Sequence, residues 1–421
     1  MSRIFKEKSK SIPISKQMVW EAYKKVRSNK GGSAIDKITF SAFDKDLENN
    51  LYKLWNRLSS GSYFPPAVKQ VNIPKGNGKT RTLGIPTIAD RIGQQVVKTL
   101  LEPRLEQVFD DCSYGYRPLK SPHQALYEVR KNIRHFAWVV DLDISQFFDT
   151  VNHEKLLKAL RLHVKESWIE MYILRWLEAE KLNLQSGELQ INDKGTPQGG
   201  VISPLLANLY LHYTFDAWFR IKFPTLHFVR YADDIIVHCH SEEQSNYVQQ
   251  QIQERLSTCD LTLHPDKTKI VYCKDYRRKQ KGKSVKFDFL GFSFRPMSKA
   301  SKRENDSMFL GYDATISTKS YKRINAEIRR IKFHKWTNAS IQDIANVLNP
   351  KIRGWMNYYE KFSSRSLVGV FKNLHYRLLK WVLNKHKRFK GSKKRGFAYL
   401  RKIKEHYPYV FYHWSIGYAF V

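Results

Sequence analysis

The chain has 421 residues, enough for two or three domains with cores of their own, and at 42% hydrophobic and 14% aromatic it reads as folded and not disordered. Its 73 Lys and Arg against 39 Asp and Glu leave a formal net charge of +34, far beyond what solubility needs, which points to a polyanionic partner. The cations are spread along the chain among aromatics, without a juxtamembrane block, an amphipathic anchor or 18 consecutive apolar residues, so nucleic acid is expected and a membrane is not.

The N-terminal stretch MSRIFKEKSKSIPIS is basic but has no apolar core of the signal-peptide kind. Residues 15–60 follow, with Met18, Val19, Ala22, Tyr23 and Val26 at helix spacing. In VNIPKGNGKTRTLGIP (71–86), two extended runs flank Gly76-Asn77-Gly78, a hairpin signal with cations at its tip. Helices are expected at 87–108 and 121–134, a strand opening AWVVDLDISQFFDTV (137–151), and helix period again over 153–182. GTPQGGVISPLLANLYL (195–211) reads as a Gly/Pro loop entering an apolar helix. A strand pair around 228–239, a polar helix at 241–258 and a basic linker at 274–284 come next. VKFDFLGFSF alternates like a strand, and after Pro296 the pattern reads as helical and basic; residues 371–404 hold 13 Lys or Arg and no acid. Helix and strand are interspersed without regular βαβ alternation, so the expected class is α+β with a helical, basic C-terminal part. Cys112, Cys239, Cys259 and Cys273 form no C-x-x-C pair and read as reduced thiols.

Two places break the apolar strand pattern with acids. In FVRYADDIIV (228–237), Asp233 and Asp234 are adjacent, which suits either a solvated tight turn or carboxylates kept ionised by a divalent cation. In VVDLDIS, alternation puts Asp141 and Asp143 on one face and Val140, Leu142 and Ile144 on the other. Carboxylates from separate strands are what a site for two divalent metals needs.

With IPKGNGKTRTLGIPTIADR, SYGYRP, VVDLDISQFFDTVNHEKL, GTPQGGVISPLLANLYL, FVRYADD, LTLHPDKTKI, FDFLGFSF and IRGWMNYYEKF in this order, the chain resembles the group II intron-encoded reverse transcriptase/maturase family. The resemblance covers residues from about 20 to 385; any one motif alone would be weak, Y-x-D-D above all. It implies a right-hand polymerase with fingers, a palm built on an antiparallel sheet, a helical thumb and a short basic C-terminal segment. The implied boundaries are 1–110 for an N-terminal extension and fingers, 111–297 for the palm with finger insertions, 298–385 for thumb and maturase, and 386–421 for DNA binding.

Carried over by position, the resemblance makes Asp143, Asp233 and Asp234 the catalytic metal ligands of two Mg²⁺ (or Mn²⁺), with Asp141 a flanking acid and Asp149 a local cap or partner. Lys75 and Arg81 match positions that grip the dNTP triphosphate; Lys79 belongs with them or only solubilises the turn. Phe148 matches the steric gate under the incoming sugar, or is a core aromatic. Gln198 and Gly199 match a loop against template and nucleotide. Lys267 matches a lysine that assists pyrophosphate departure. Leu290, Gly291 and Phe292 match the primer grip, and Arg353, Trp355, Tyr358 and Tyr359 lie in the matching thumb segment. Lys393, Lys394, Arg395 and Arg401 fall in the DNA-binding segment.

The implied activity is RNA-directed DNA polymerisation, joined to maturase binding of structured intron RNA for splicing and mobility. The implied partners are RNA template, DNA or RNA primer, dNTPs, intron RNA and target DNA, in a bacterial cytoplasm. A splicing cofactor with vestigial polymerase activity, or a domesticated enzyme of defence or repair, would share these motifs. After residue 405 there is no Cys/His pattern for the HNH nuclease that some members carry, so intron mobility, where the protein supports it, is expected to prime from ends other than a self-made nick.

Overall fold

The computed structural model describes residues 12–76, 79–183, 187–278, 280, 284–300, 307–363, 366–389 and 391–418. The chain divides into two compact units. The first comprises Met1–Ala125, Val140–Cys239 and Glu243–Lys269, and the second Leu126–Val139, His240–Glu242 and Ile270–Val421.

In the first unit, helix Lys16–Ser28 begins where Ser15 Oγ accepts the Met18 N–H, and it buries Val19, Ala22, Tyr23 and Val26, the residues at helix spacing in the sequence. The expected hairpin is β1 (Val68–Gly76) paired antiparallel with β2 (Lys79–Ile85); its tip, Asn77-Gly78, lies outside the described residues. Helix Ile88–Glu106 follows, capped by Thr87, whose side chain accepts the Asp90 N–H. The next strand, β3 (Trp138–Asp143), runs into the first unit with Val140 and Leu142 buried and Asp141 and Asp143 half-buried. Strands β4 (Lys181–Asn183) and β5 (Leu189–Gln190) extend the first hairpin into a sheet of order β2-β1-β4-β5.

Helix Ser203–Leu211 continues through a π-turn, His212–Asp216, into helix Ala217–Lys222. Strands β6 (His227–Tyr231) and β7 (Asp234–Cys239) form a second hairpin beside β3, with Phe228, Val229, Ile235, Ile236 and Val237 fully buried. Each such side chain contributes about 1.5–3 kcal/mol by leaving water. This apolar sheet carries the acids at its ends.

In the second unit, β8 (Lys269–Tyr272) lies beside the start of β3, with the Trp138 and Tyr272 rings 5.0 Å apart. The following "linker" is held down over its first residues. Asp275 is buried and binds Arg277, and Arg278 donates to the Ile133 and Cys273 carbonyls. A three-stranded antiparallel sheet of order β11-β10-β9 comprises β9 (Phe287–Phe289), β10 (Phe292–Ala300) and β11 (Met308–Ile316).

The helical pattern expected directly after Pro296 is therefore corrected: strand persists to Ala300 and returns to Ile316, and helix starts only at Thr318. Pro296 is tolerated because β9 pairs only with Phe292–Phe294, so beyond it the strand has one neighbour and one N–H fewer to satisfy. Helices Thr318–Ile331, Ile341–Tyr359, Val368–Lys385 and Lys393–His406 complete the unit, the second opened by a Ser340/Asp343 capping box. Leu400, Phe411, His413 and Trp414 are buried, so the basic C-terminal stretch has a packed inner face. The four cysteines are free, and among the described residues no helix is long and apolar enough to cross a membrane.

Candidate active site

Asp233 sits in the two-residue turn between β6 and β7, where Tyr231 pairs with Asp234 and Ala232 takes a left-handed φ of 57°. Asp234 is the first, exposed residue of β7. Asp143 ends β3, and the 261–268 loop is tied to it because the His264 N–H donates to the Asp143 carbonyl at 2.8 Å. That tie brings Lys267 Nζ to 2.9 and 3.0 Å from the two Asp143 carboxylate oxygens. Burial raises the Asp233 pKa, and the Asp143 charge raises it further, while Arg81 and Lys267 oppose the shift. The two carboxylates, one at a strand end and one in a turn, thus share one electrostatic environment with two cations.

Arg81 lies on β2 and donates from Nε to Gln198 Oε1 at 2.5 Å, and the Gly84 N–H donates to the Gln198 carbonyl at 2.8 Å. Gly199 has a φ of 126°, and a Cβ there would meet the Gly84 carbonyl oxygen at 2.3 Å, so the loop can press on β2 only as glycine. Cavities of about 340 Å³ beside Gln198 and about 300 Å³ beside Gly199 flank this loop. Each is large enough for part of a nucleotide. Phe148 is buried, 8% exposed, with its ring 5.4 Å from Phe147, and its carbonyl accepts the Thr196 N–H from the same loop. Lys75 is a β1 residue whose side chain lies outside the described part, as does that of Lys79.

The remaining candidates belong to the second unit. Leu290 and Gly291, with φ of 48° and 81°, form the turn between β9 and β10, and Tyr358 Oη donates to the Leu290 carbonyl at 2.8 Å. Phe292 is fully buried, 5.4 Å from the Tyr359 ring, and Tyr359 Oη accepts from Arg323. Trp355 is half-buried on the same helix, while Arg353 is exposed and stacks over Tyr412 at 5.0 Å. Lys393, Lys394, Arg395 and Arg401 are all exposed on helix Lys393–His406.

Among the described residues no three His, Cys, Asp or Glu side chains are gathered as a complete metal cage. The donor set nevertheless fits a hard divalent cation. Mg²⁺ is commonly held by one or two carboxylates with phosphate oxygens and water filling the rest, and here burial and the Asp143 charge raise the cost of ionising Asp233.

What the sequence did not disclose is the support of the turn. Arg230, Asp216 and Asn208 form a buried network behind it, with Arg230 and Asp216 fully buried and Asn208 1% exposed. An Arg within a strand and an Asp within a helix carry no signal of such pairing.

Residues 73–294 match the family described as reverse transcriptase (RNA-dependent DNA polymerase), and residues 321–399 match the group II intron maturase-specific domain. The chain therefore belongs to the reverse transcriptase family, in its group II intron-encoded branch. It is 38% identical over 192 residues to the group II intron-encoded protein LtrA of Lactococcus lactis subsp. cremoris, covering 45% of this chain and 32% of that protein. It is 32% identical over 294 residues to protein YkfC of Escherichia coli K12, covering 61% of this chain and 77% of YkfC. The nuclear intron maturase 4, mitochondrial, of Arabidopsis thaliana is 26% identical over 218 residues, covering 52% of this chain and 26% of its own. The chain thus spans about a third of the Lactococcus relative and most of YkfC.

Proposed function

We propose that the protein is an RNA-directed DNA polymerase that also binds structured intron RNA as a maturase. The observation that carries this reading is geometric: Asp143 ends β3 with Lys267 on its carboxylate, and Asp233 stands in the turn that leads into the neighbouring strand β7. Asp143, Asp233 and Asp234 would hold two Mg²⁺, or Mn²⁺ in their place. When bound, these ions lower the pKa of the primer 3′-hydroxyl and stabilise charge on the departing pyrophosphate.

The chain's own residues do the rest. Arg81, fixed by Gln198, and Lys75 from the same hairpin offer charge-assisted donors to the triphosphate. Lys267 exchanges its contact with Asp143 for one to the leaving pyrophosphate. Phe148 closes the floor beneath the sugar and rejects a 2′-hydroxyl, for which an aromatic ring has no hydrogen bond. Gln198 and Gly199 bear on template and nucleotide from the loop seated on β2.

The proposed domains are fingers within 1–110, palm within 111–297, thumb and maturase within 298–385, and a DNA-binding segment from 386. The primer-grip turn Leu290-Gly291, held by Tyr358, would steady the primer end. The match of 321–399 to the maturase-specific domain supports intron RNA as the ligand of the helices that carry Arg353 and Trp355. Template, primer and target DNA would be bound mainly through phosphates, in keeping with the charge of +34. RNA-templated extension of a DNA primer by the purified protein, with Mg²⁺ and dNTPs, tests the reading. Extension abolished by chelation is expected; no extension with tight intron-RNA binding would leave only the maturase part.

A further inference from the structure

Arg230 is the last but one residue of β6, between Val229 and Tyr231, and is completely buried. A guanidinium in that position is costly unless its donors are matched. Nε donates to Asp216 Oδ1 at 2.7 Å and Nη2 to Asp216 Oδ2. Nη1 donates to Asn208 Oδ1 at 3.0 Å and to the Ala232 carbonyl at 3.2 Å. The last contact is to the left-handed residue of the turn, immediately before Asp233.

Two further features close around the same point. Asp216 lies eight positions after Asn208, and on a regular helix at about 100° per residue they would point roughly 80° apart. The π-turn His212–Asp216 absorbs one residue, which brings them onto nearly one face so that both reach one guanidinium. Asn208 Nδ2 also donates to the Gly115 carbonyl at 2.7 Å, and a Cβ on Gly115 would meet the Ala232 nitrogen at 2.4 Å. The turn is therefore pressed from one side by the 113–117 loop and gripped from behind by Arg230.

We propose that Arg230 is a positioning residue for Asp233. By holding the Ala232 carbonyl it fixes the turn that aims the Asp233 carboxylate, and Asp216 and Asn208, presented together by the π-turn, hold Arg230. This rests on the reading of Asp233 as a metal ligand. The contrary possibility is a buried ion pair that serves stability alone.

Paired replacement separates these roles. Arg230→Met with Asp216→Leu removes both charges at similar volume, a change that buried ion pairs tolerate well, but it leaves the Ala232 carbonyl without its donor. Mn²⁺ binding to the protein–template–primer complex is measured by electron paramagnetic resonance without dNTP, beside thermal melting and template affinity. The expected result is a folded variant with wild-type template affinity and Mn²⁺ affinity lowered about 10- to 100-fold, the range for losing an outer support of a metal ligand.

A folded double variant that binds Mn²⁺ like the wild type overturns the proposal. Should the double variant not fold, Arg230→Lys decides: it keeps a charge for Asp216 but cannot span Asp216, Asn208 and Ala232. Weakened Mn²⁺ binding by that folded variant is expected, and wild-type binding overturns the proposal. Asp233→Asn is the reference. Unchanged Mn²⁺ binding there refutes the ligand reading itself, whereas loss there with none in the Arg230 variants refutes positioning alone.

Discussion

The two units keep their chemistry in different places. In the first, the candidate residues stand at strand ends and tight loops, Asp143 closing β3 and Asp233 in a two-residue turn, with a buried ion pair behind them. In the second, the cations lie along exposed helix faces, and the core of the helices beneath them holds two buried histidines. His375 and His413 face each other Nε2 to Nε2 at 3.0 Å, and burial pushes the His375 pKa down to about 3. A chemical step needs a few groups held within fractions of an ångström, so its loops demand internal support. Binding a long polyanion needs only summed charge, and a plain packed helix bundle supplies that. Single substitutions should therefore cost much in the first unit and little on the surface of the second.

Apart from loss of the acids themselves or of their support, Phe148→Ala should show the largest effect of this kind. Discrimination between deoxy- and ribonucleotides, as the ratio of kcat/KM values, is expected to fall at least roughly tenfold. Because the ring is buried, stability should also fall by about 3–5 kcal/mol. A folded variant with unchanged sugar discrimination would make Phe148 a core residue only.

The next effect is on stability against pH. Asp90 is buried, accepts from Tyr63 Oη and Thr87 Oγ1, and burial pushes its pKa up from 3.8 to about 6. The folded state then binds this proton more tightly than the unfolded one, so its contribution is complete below 3.8 and is lost as the pH rises to about 6. Asp90→Asn should remove a slope worth on the order of 3 kcal/mol across that window. Denaturant melts between pH 4 and 7 give the answer, and identical profiles for both proteins would contradict the shift.

The smallest effects are expected on helix Lys393–His406. Lys393→Ser, Lys394→Ser and Arg395→Ser, singly, should each weaken nucleic-acid binding by under about 1 kcal/mol and lower the salt slope by at most ~0.9. Melting and extension at saturating template should be unchanged. A loss of more than a hundredfold from one of them would mean that this surface, too, holds a focused site. Deleting the segment is a poorer test, because Phe411, His413 and Trp414 are part of the core.

Much of this was legible in the sequence wherever a residue broke its own local pattern. Acids inside apolar runs marked Asp143 and Asp233, and Gly-Asn-Gly marked the β1–β2 hairpin. The Arg230 network was not legible, because the π-turn that lets Asn208 and Asp216 converge has no compositional mark and its partners are far apart in the chain. The β10–β11 hairpin was misread because Pro296 normally ends a strand, and only pairing on one side permits it.

The metal role of the β6–β7 turn is tested most directly by extending a DNA primer on an RNA template with the wild-type and Asp233→Ala proteins, over a Mg²⁺ series, with template affinity measured alongside. Extension by the wild type that needs Mg²⁺ and falls by at least roughly a hundredfold in the variant, with template affinity retained, is the expected result. Metal-dependent extension by Asp233→Ala at the wild-type rate would remove the turn from the chemistry.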